Sequence, residues 1–364
     1  MSLKYKENGK LDSPALYTTP NHEIKLIDTE VAKPGPGQVL VHVKATGVCG
    51  SDVHFWKHGA IGPMIVKADN GLGHESSGVV VEVGPDVMRW KVGDRVAIEP
   101  GIPCGLATCY HCRTGRYNAC PDVVFFSTPP YHGLLTRYHL HPEAWLHKLP
   151  DSLSFEQGSL LEPLSVVLAG FERAQPRLGD EVLICGAGPI GLISLICARA
   201  AGACPIVITD MSESRLAFAK NLVPSVRTVR VTKDKSPEDV AAEIKQVMGS
   251  ELGPVLTMEC TGAEPSVAAA IYASRFGGKV FVIGVGKDTM NIPFMHCSAN
   301  EIDLQFQYRY HETWPKAIRL MEEGVIDLKP LVTHRFKLEE AVAALTNSAS
   351  PTSGSIKTMI IDDE

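Results

Sequence analysis

The chain has 364 residues, 45% apolar and 21% charged, a make-up that excludes wholesale disorder, collagen and coiled coil. It is too long for one ordinary core and suits two domains. With 35 Lys and Arg against 41 Asp and Glu, the net charge is -6, and no basic run approaches a phosphate-binding footprint, so no nucleic-acid partner is expected.

The opening residues, MSLKYKENGKLDSPAL, hold no apolar run of signal length. A reducing, cytoplasmic setting is therefore expected, in which clustered thiols are metal-ligand candidates. Up to about residue 160 the chain is rich in Gly, Val and Pro. Residues 38–43 (QVLVHV) alternate as a strand does, and 78–83 (GVVVEV) and 94–98 (DRVAI) are short Val-rich runs. Turns are signalled at Pro34-Gly35-Pro36-Gly37, Gly84-Pro85-Asp86 and Gly93-Asp94. This predicts a β-rich, barrel-type domain with irregular insertions.

Two groups of metal-binding residue types fall within it. Cys49 lies in Gly47-Val48-Cys49-Gly50-Ser51-Asp52-Val53-His54, and His74 and Glu75 lie in Gly73-His74-Glu75-Ser76-Ser77-Gly78. Neither segment alone proves a metal, since a lone Cys after a strand is usually a buried small apolar residue. Together they offer an open, three-ligand zinc set. Cys104, Cys109, Cys112 and Cys120 fall within 17 residues of a polar loop, enough thiolates for a closed tetrahedral zinc.

Near Glu162 the pattern changes. Strands are predicted over 181–185, 206–209, 227–231, 255–259, 279–284 and 304–308, with helices over 189–203, 212–222 and 237–248. Such alternation calls for a doubly wound parallel sheet. The apolar stretch 182–208 is broken by Gly186, Gly188, Gly191, Arg199, Gly202 and Pro205, so a strand, a buried helix and a second strand are expected there ahead of a membrane span. Gly186-Ala187-Gly188-Pro189-Ile190-Gly191 follows one strand and opens a helix. Gly186 permits the tight turn, Gly188 lets a pyrophosphate approach the backbone, and Gly191 lets helix and strand pack. Asp210 ends the next strand, 19 residues on, where a carboxylate accepts ribose hydroxyls and repels a 2′-phosphate. NAD is expected over NADP, with Arg215 flanking the adenosine. The last fifty or so residues are expected to return to the first domain.

The motifs GHE-x2-G-x5-G (73–84), C-G-S-D-x-H (49–54), the cysteine loop and GAGPIG resemble the zinc-dependent medium-chain dehydrogenase family over nearly the whole chain. Phe55-Trp56-Lys57-His58-Gly59, Leu161-Glu162-Pro163-Leu164-Ser165, Glu259-Cys260-Thr261-Gly262 and Tyr308-Arg309-Tyr310 look closest to its polyol members, the sorbitol, xylitol and fungal L-arabinitol 4-dehydrogenases. The resemblance implies a GroES-like barrel catalytic domain (1–163 and 304–364) and a Rossmann nucleotide-binding domain (164–303), with a substrate cleft between them. It implies Cys49, His74 and Glu75 as catalytic zinc ligands, with Glu162 beside the metal as direct or water-mediated ligand. Phe55, Met64, Glu162, Tyr308, Arg309 and Tyr310 fall on substrate positions. Pro189, Ile190, Asp210, Arg215, Ile283, Gln307, Tyr308 and Arg309 fall on NAD positions, alongside the glycines. A homotetramer is implied as well.

One departure concerns Cys104, which is separated from Cys109 by four residues where the family has two, so the loop must bulge or Cys104 must stay off the metal. The expected reaction is NAD-dependent oxidation of a polyol secondary alcohol to a ketose, with L-arabinitol ahead of xylitol and sorbitol. The proton is expected to leave through water oriented by Glu162. Ser51 and His54 stand at the spacing of an alternative relay, but Ser51 equally suits a helix cap and His54 the surface. Asp52 is expected to orient His74. A structural protein on a dehydrogenase fold is the non-enzyme alternative, disfavoured because every expected metal ligand is present.

Overall fold

The computed structural model describes residues 3–364. The chain forms two compact units. The first comprises the chain up to Glu162 together with Trp314–Glu322 and Leu328–Glu364, and the second comprises Pro163–Thr313 and Glu323–Asp327.

The first unit is β-rich, as its Val-rich runs predict. Its largest sheet runs Leu146–Lys148, Arg95–Ile98, Glu75–Val83, Gln38–Gly47, Lys357–Ile361, Val332–Lys337, and Tyr138–Pro142 also pairs with Gln38–Gly47. Although its sequence alternates, Gln38–Gly47 is buried at almost every residue, because it is central and both faces are covered. Val39, Val41 and Val43 pack with Val80, Val96, Ile98 and Leu146. A second cluster gathers Leu16, Phe55, Trp56, Leu72, Leu135, Leu345 and Ile360. Each such side chain, fully buried, contributes about 1.5–3 kcal/mol. The register places Gly47 opposite Glu75 on one side and opposite Met359 on the other. Late residues therefore complete the sheet that carries an early metal-ligand candidate.

The second unit is the doubly wound sheet. Six parallel strands follow the order Arg227–Arg230, Ile206–Asp210, Val182–Cys185, Leu256–Glu259, Lys279–Val282, Asp303–Phe306. The order reverses between Val182–Cys185 and Leu256–Glu259, the switch point where such sheets bind nucleotides. Helices Pro189–Ala200, Glu213–Leu222 and Pro237–Met248 stand where expected. Ser236 caps the last of these by accepting the backbone N–H of Asp239. Asp303–Phe306 pairs with Lys279–Val282, so the expected boundary at residue 304 falls inside a strand of this sheet. Ladder pairing keeps that strand in the second unit, which continues to Thr313. Among the described residues, no helix is long and apolar enough to cross a membrane.

Candidate metal centres and nucleotide loop

Cys49 ends the loop after strand Gln38–Gly47 and caps helix Gly50–His58, while Glu75 opens the neighbouring strand Glu75–Val83. One ligand atom each from Cys49, His74 and Glu75 lies within 4.8 Å of the others. Gly47 permits this approach, for a Cβ there would lie 2.2 Å from Glu75 Oε2. Asp52, fully buried, ties the two ligand loops together. Its Oδ2 accepts the N–H of Cys49 at 3.0 Å and its Oδ1 accepts the N–H of Gly73 at 2.9 Å. Burial pushes its carboxyl upward, against the pull of His74 and these two amides.

Asp52 faces His74 as expected, but as an ion pair with an Nδ1–Oδ1 distance of 3.7 Å, too long for the hydrogen bond that would fix the ring. Ser127 takes that role, its Oγ 2.8 Å from Nδ1, which leaves Nε2 for a metal. Burial opposes a charge on His74, but Cys49, Asp52 and Glu162 outweigh it and hold the ring at about 10. The pocket thus draws a cation, and thiolate, imidazole and carboxylate together fit zinc. The three-residue set does not take in Glu162, which acts on His74 through its charge. Glu162 lies in the first turn of helix Leu161–Ala174, 5% exposed.

Lys357, which carries no recognisable motif, is also here. It is 2% exposed, its Nζ donating to Glu75 Oε1 at 2.8 Å, to Oε2 at 2.7 Å and to the carbonyl of Val48 at 3.2 Å. Ser51 lies inside the helix and does not cap it, since Cys49 occupies the cap. The Ser51 Oγ is 3.4 Å from His74 Nε2. His54 is exposed, its ring 4.5 Å from that of His58; burial and then His58 lower its pKa. Phe55, 2% exposed, lies in the core cluster against which Met64 packs.

The cysteine loop closes as a four-thiol group. All four Sγ atoms lie within 4.8 Å of one another, with Cys104 3.7 Å from Cys112 and Cys109 4.0 Å from Cys120. A tetrahedron with zinc–sulfur bonds of about 2.3 Å has sulfurs about 3.8 Å apart. The longer spacing is taken up by a bulge with Gly105 at φ 65°, so Cys104 belongs to the set. The backbone N–H of Cys112 lowers the Cys109 thiol to about 7, while burial raises that of Cys112 to about 12. Among the described residues every cysteine is free of disulfide bonds.

In the second unit, Gly186 (φ 95°) turns the chain, and Gly191 packs so tightly that a Cβ would lie 1.8 Å from the Gly186 carbonyl oxygen. A Cβ on Gly188 would find only Arg215, at 3.9 Å, which leaves the opening of helix Pro189–Ala200 clear for a phosphate. Asp210 Oδ2 accepts the N–H of Ala187 at 2.7 Å and Oδ1 that of Ser212 at 2.8 Å. The carboxylate thus stands against the glycine loop, and the cradle fits a dinucleotide. Glu259, fully buried, braces the adjacent loop by accepting the N–H groups of Thr261 and Gly262 and the hydroxyl of Ser266. Ile283 follows the next strand, its N–H donating to the Glu259 carbonyl. Gln307 donates to the Val282 carbonyl, Arg309 (φ 52°) lies over the ring of half-exposed Tyr308, and Tyr310 is 2% exposed.

Residues 35–151 match the alcohol dehydrogenase GroES-like domain, and residues 189–323 match the zinc-binding dehydrogenase family. The chain is 57% identical over 353 residues to the L-arabinitol 4-dehydrogenase of Hypocrea jecorina, covering 95% of this chain and 93% of that protein. It is 46% identical over 322 residues to the sorbitol dehydrogenase of Rattus norvegicus, covering 88% of each. A crystal structure of an oxidoreductase of unknown specificity from Escherichia coli superposes with a TM-score of 0.88 at 35% identity, covering 97% of this chain and 100% of that one.

Proposed function

Because the chain belongs to the zinc-binding dehydrogenase family, we propose that it oxidises a polyol secondary alcohol to a ketose with NAD, taking L-arabinitol ahead of xylitol and sorbitol. The observation that carries this reading is the three-donor set Cys49, His74 and Glu75, which leaves a tetrahedral metal one position short. The high identity to fungal L-arabinitol 4-dehydrogenases supports the choice of alcohol. Bound to these residues, zinc would supply a Lewis acid for an alcohol oxygen, and NAD would supply the hydride acceptor.

The chain's own groups do the rest. Ser127 holds the His74 ring in place, and Asp52 fixes the two ligand loops. Glu162 brings negative charge beside the set and orients the water that takes the alcohol proton. Ser51, 3.4 Å from His74, and exposed His54 on the same helix form the second route for that proton. Arg309 and Tyr310 hydrogen-bond the remaining hydroxyls, and Phe55, Met64 and Tyr308 set the shape around the chain of carbons. The glycine loop with Pro189, Ile190, Asp210, Arg215, Ile283 and Gln307 holds NAD. The first unit thus supplies the metal ligands, and the second supplies the dinucleotide cradle together with Tyr308, Arg309 and Tyr310.

The same reading assigns a cytoplasmic homotetramer without a nucleic-acid partner. Asp303–Phe306 is the last strand of its sheet, and Phe306, Phe294 and Met295 are 60%, 69% and 70% exposed, the kind of edge that subunit contacts cover. Initial rates with L-arabinitol, xylitol and sorbitol, each with NAD and NADP, test the activity. The highest kcat/KM is expected for L-arabinitol with NAD, and Met64→Phe with Tyr308→Phe should move the ratio toward sorbitol. Sorbitol as the best wild-type substrate would overturn the choice of alcohol.

A further inference from the structure

Lys357 is one of the most buried cations in the first unit, and its partner is a metal-ligand candidate. A lysine at 2% exposure is held in place only by groups that satisfy all its donors, and here Nζ meets both oxygens of Glu75 and the Val48 carbonyl. Both oxygens of Glu75 are therefore engaged by a cation supplied from strand Lys357–Ile361. Around them lie Cys49 and Glu162, and all of these act on Lys357. Two carboxyl groups, Glu75 and Glu162, thus share a buried pocket with the single imidazole of His74.

We infer that Lys357 is the standing counter-charge of the open zinc site: it neutralises Glu75 while the metal is absent, so that the pocket folds before loading, and it keeps Glu75 only partly committed to the metal afterward. Lys357 is thus a positioning residue, acting through Glu75. Removing one member of a buried pair leaves the other uncompensated, and either a second cation or removal of the remaining charge repairs that loss. Zinc would be that second cation in a variant without Lys357. The dependence of the fold on the metal should therefore be weak in the wild type and strong in the variant.

The inference rests on the zinc reading of Cys49, His74 and Glu75. The test measures the melting temperature of the wild type, Lys357→Met, Lys357→Arg and Lys357→Met with Glu75→Gln. Each is stripped by a chelator and then reloaded with zinc, with zinc per chain measured alongside. The four-cysteine loop is common to all four proteins, so its contribution cancels in the comparison. Stripped Lys357→Met should melt about 10 °C below stripped wild type and recover most of that on reloading. Lys357→Arg should behave like the wild type, and the double variant, having lost both charges, should melt higher when stripped than Lys357→Met alone. The reloaded Lys357→Met should also release zinc to a competing chelator about tenfold more slowly, because Glu75 is then wholly committed to the metal. A drop of equal size with and without zinc would make Lys357 a plain packing residue and overturn the inference while leaving the zinc reading intact. Wild-type protein holding only the cysteine-loop zinc after reloading would overturn both.

Discussion

Ser127 and Asp210 show how one side chain decides what a site accepts. Ser127 is bonded to the ring nitrogen of His74 that faces away from the metal position. Ser127→Ala should leave the fold intact and weaken zinc binding at the open site about tenfold to a hundredfold, the usual effect of losing such a partner. Chelator competition reads this, and an unchanged affinity would show that the imidazole needs no second partner. Asp210 is already bonded to Ala187 and Ser212, so it is rigidly placed against the glycine loop. Asp210→Ser should raise the KM for NAD about tenfold and shift the kcat/KM ratio toward NADP, with Arg215 close by to meet the extra phosphate. No shift in that ratio would remove Asp210 from the ribose. Asp210 is legible from its place at the end of a strand a fixed distance past GAGPIG. Ser127 is not, because it lies 53 residues from His74 and in no motif. Lys357 is hidden more completely, 282 residues from Glu75, and only the pairing of three strands brings it near.

The elements follow the same division. In the second unit, local signals suffice: expected strands 181–185, 206–209 and 255–259 appear as Val182–Cys185, Ile206–Asp210 and Leu256–Glu259. Each is a short apolar run bounded by turn residues, and Ser212 and Ser236 cap two of the helices between. In the first unit the strands are readable, but the return of the chain after residue 328 to complete the central sheet follows from pairing across hundreds of residues. The cysteine loop lies between these extremes. Its residues are plain in the sequence, while their closure depends on a bulge at Gly105 that spacing alone leaves open. With Cys104 in the set, Cys104→Ser should lower zinc content by about one ion per chain and lower the melting temperature as much as Cys112→Ser does. A Cys104→Ser protein with full zinc and an unchanged melting temperature would mean that three thiols and another ligand suffice.

For the molecule as a whole, acid is the informative perturbation. His141 is fully buried, Nε2 bonded to the carbonyl of Trp145, and burial drives its pKa well below the ordinary value. Neighbouring His139 is lowered to about 3, again by burial. Both rings are neutral in the fold and take up a proton on unfolding below about pH 6.5. The unfolded chain then binds more protons, so stability is lost as the pH falls from about 6.5. Asp362, held low by His42 and Arg137 against its own burial, loses its contribution in a lower window, below about pH 4. His141→Leu should therefore flatten the fall in melting temperature between pH 6.5 and 5, whatever it does to the value at pH 7. A slope equal to that of the wild type would place the acid sensitivity elsewhere.

The two metal centres also differ in when, during synthesis, they can exist. The cysteine loop draws its four thiols from residues 104–120, so it is complete as soon as that stretch has left the ribosome. The open site needs Cys49, His74 and Glu75 from early in the chain and Lys357 from far beyond it, with the entire second unit translated in between. The parallel sheet of that unit can therefore form while the pocket of the first still lacks its buried cation and the strand that carries it. One centre is set during translation, and the other is finished only after the nucleotide-binding unit has emerged.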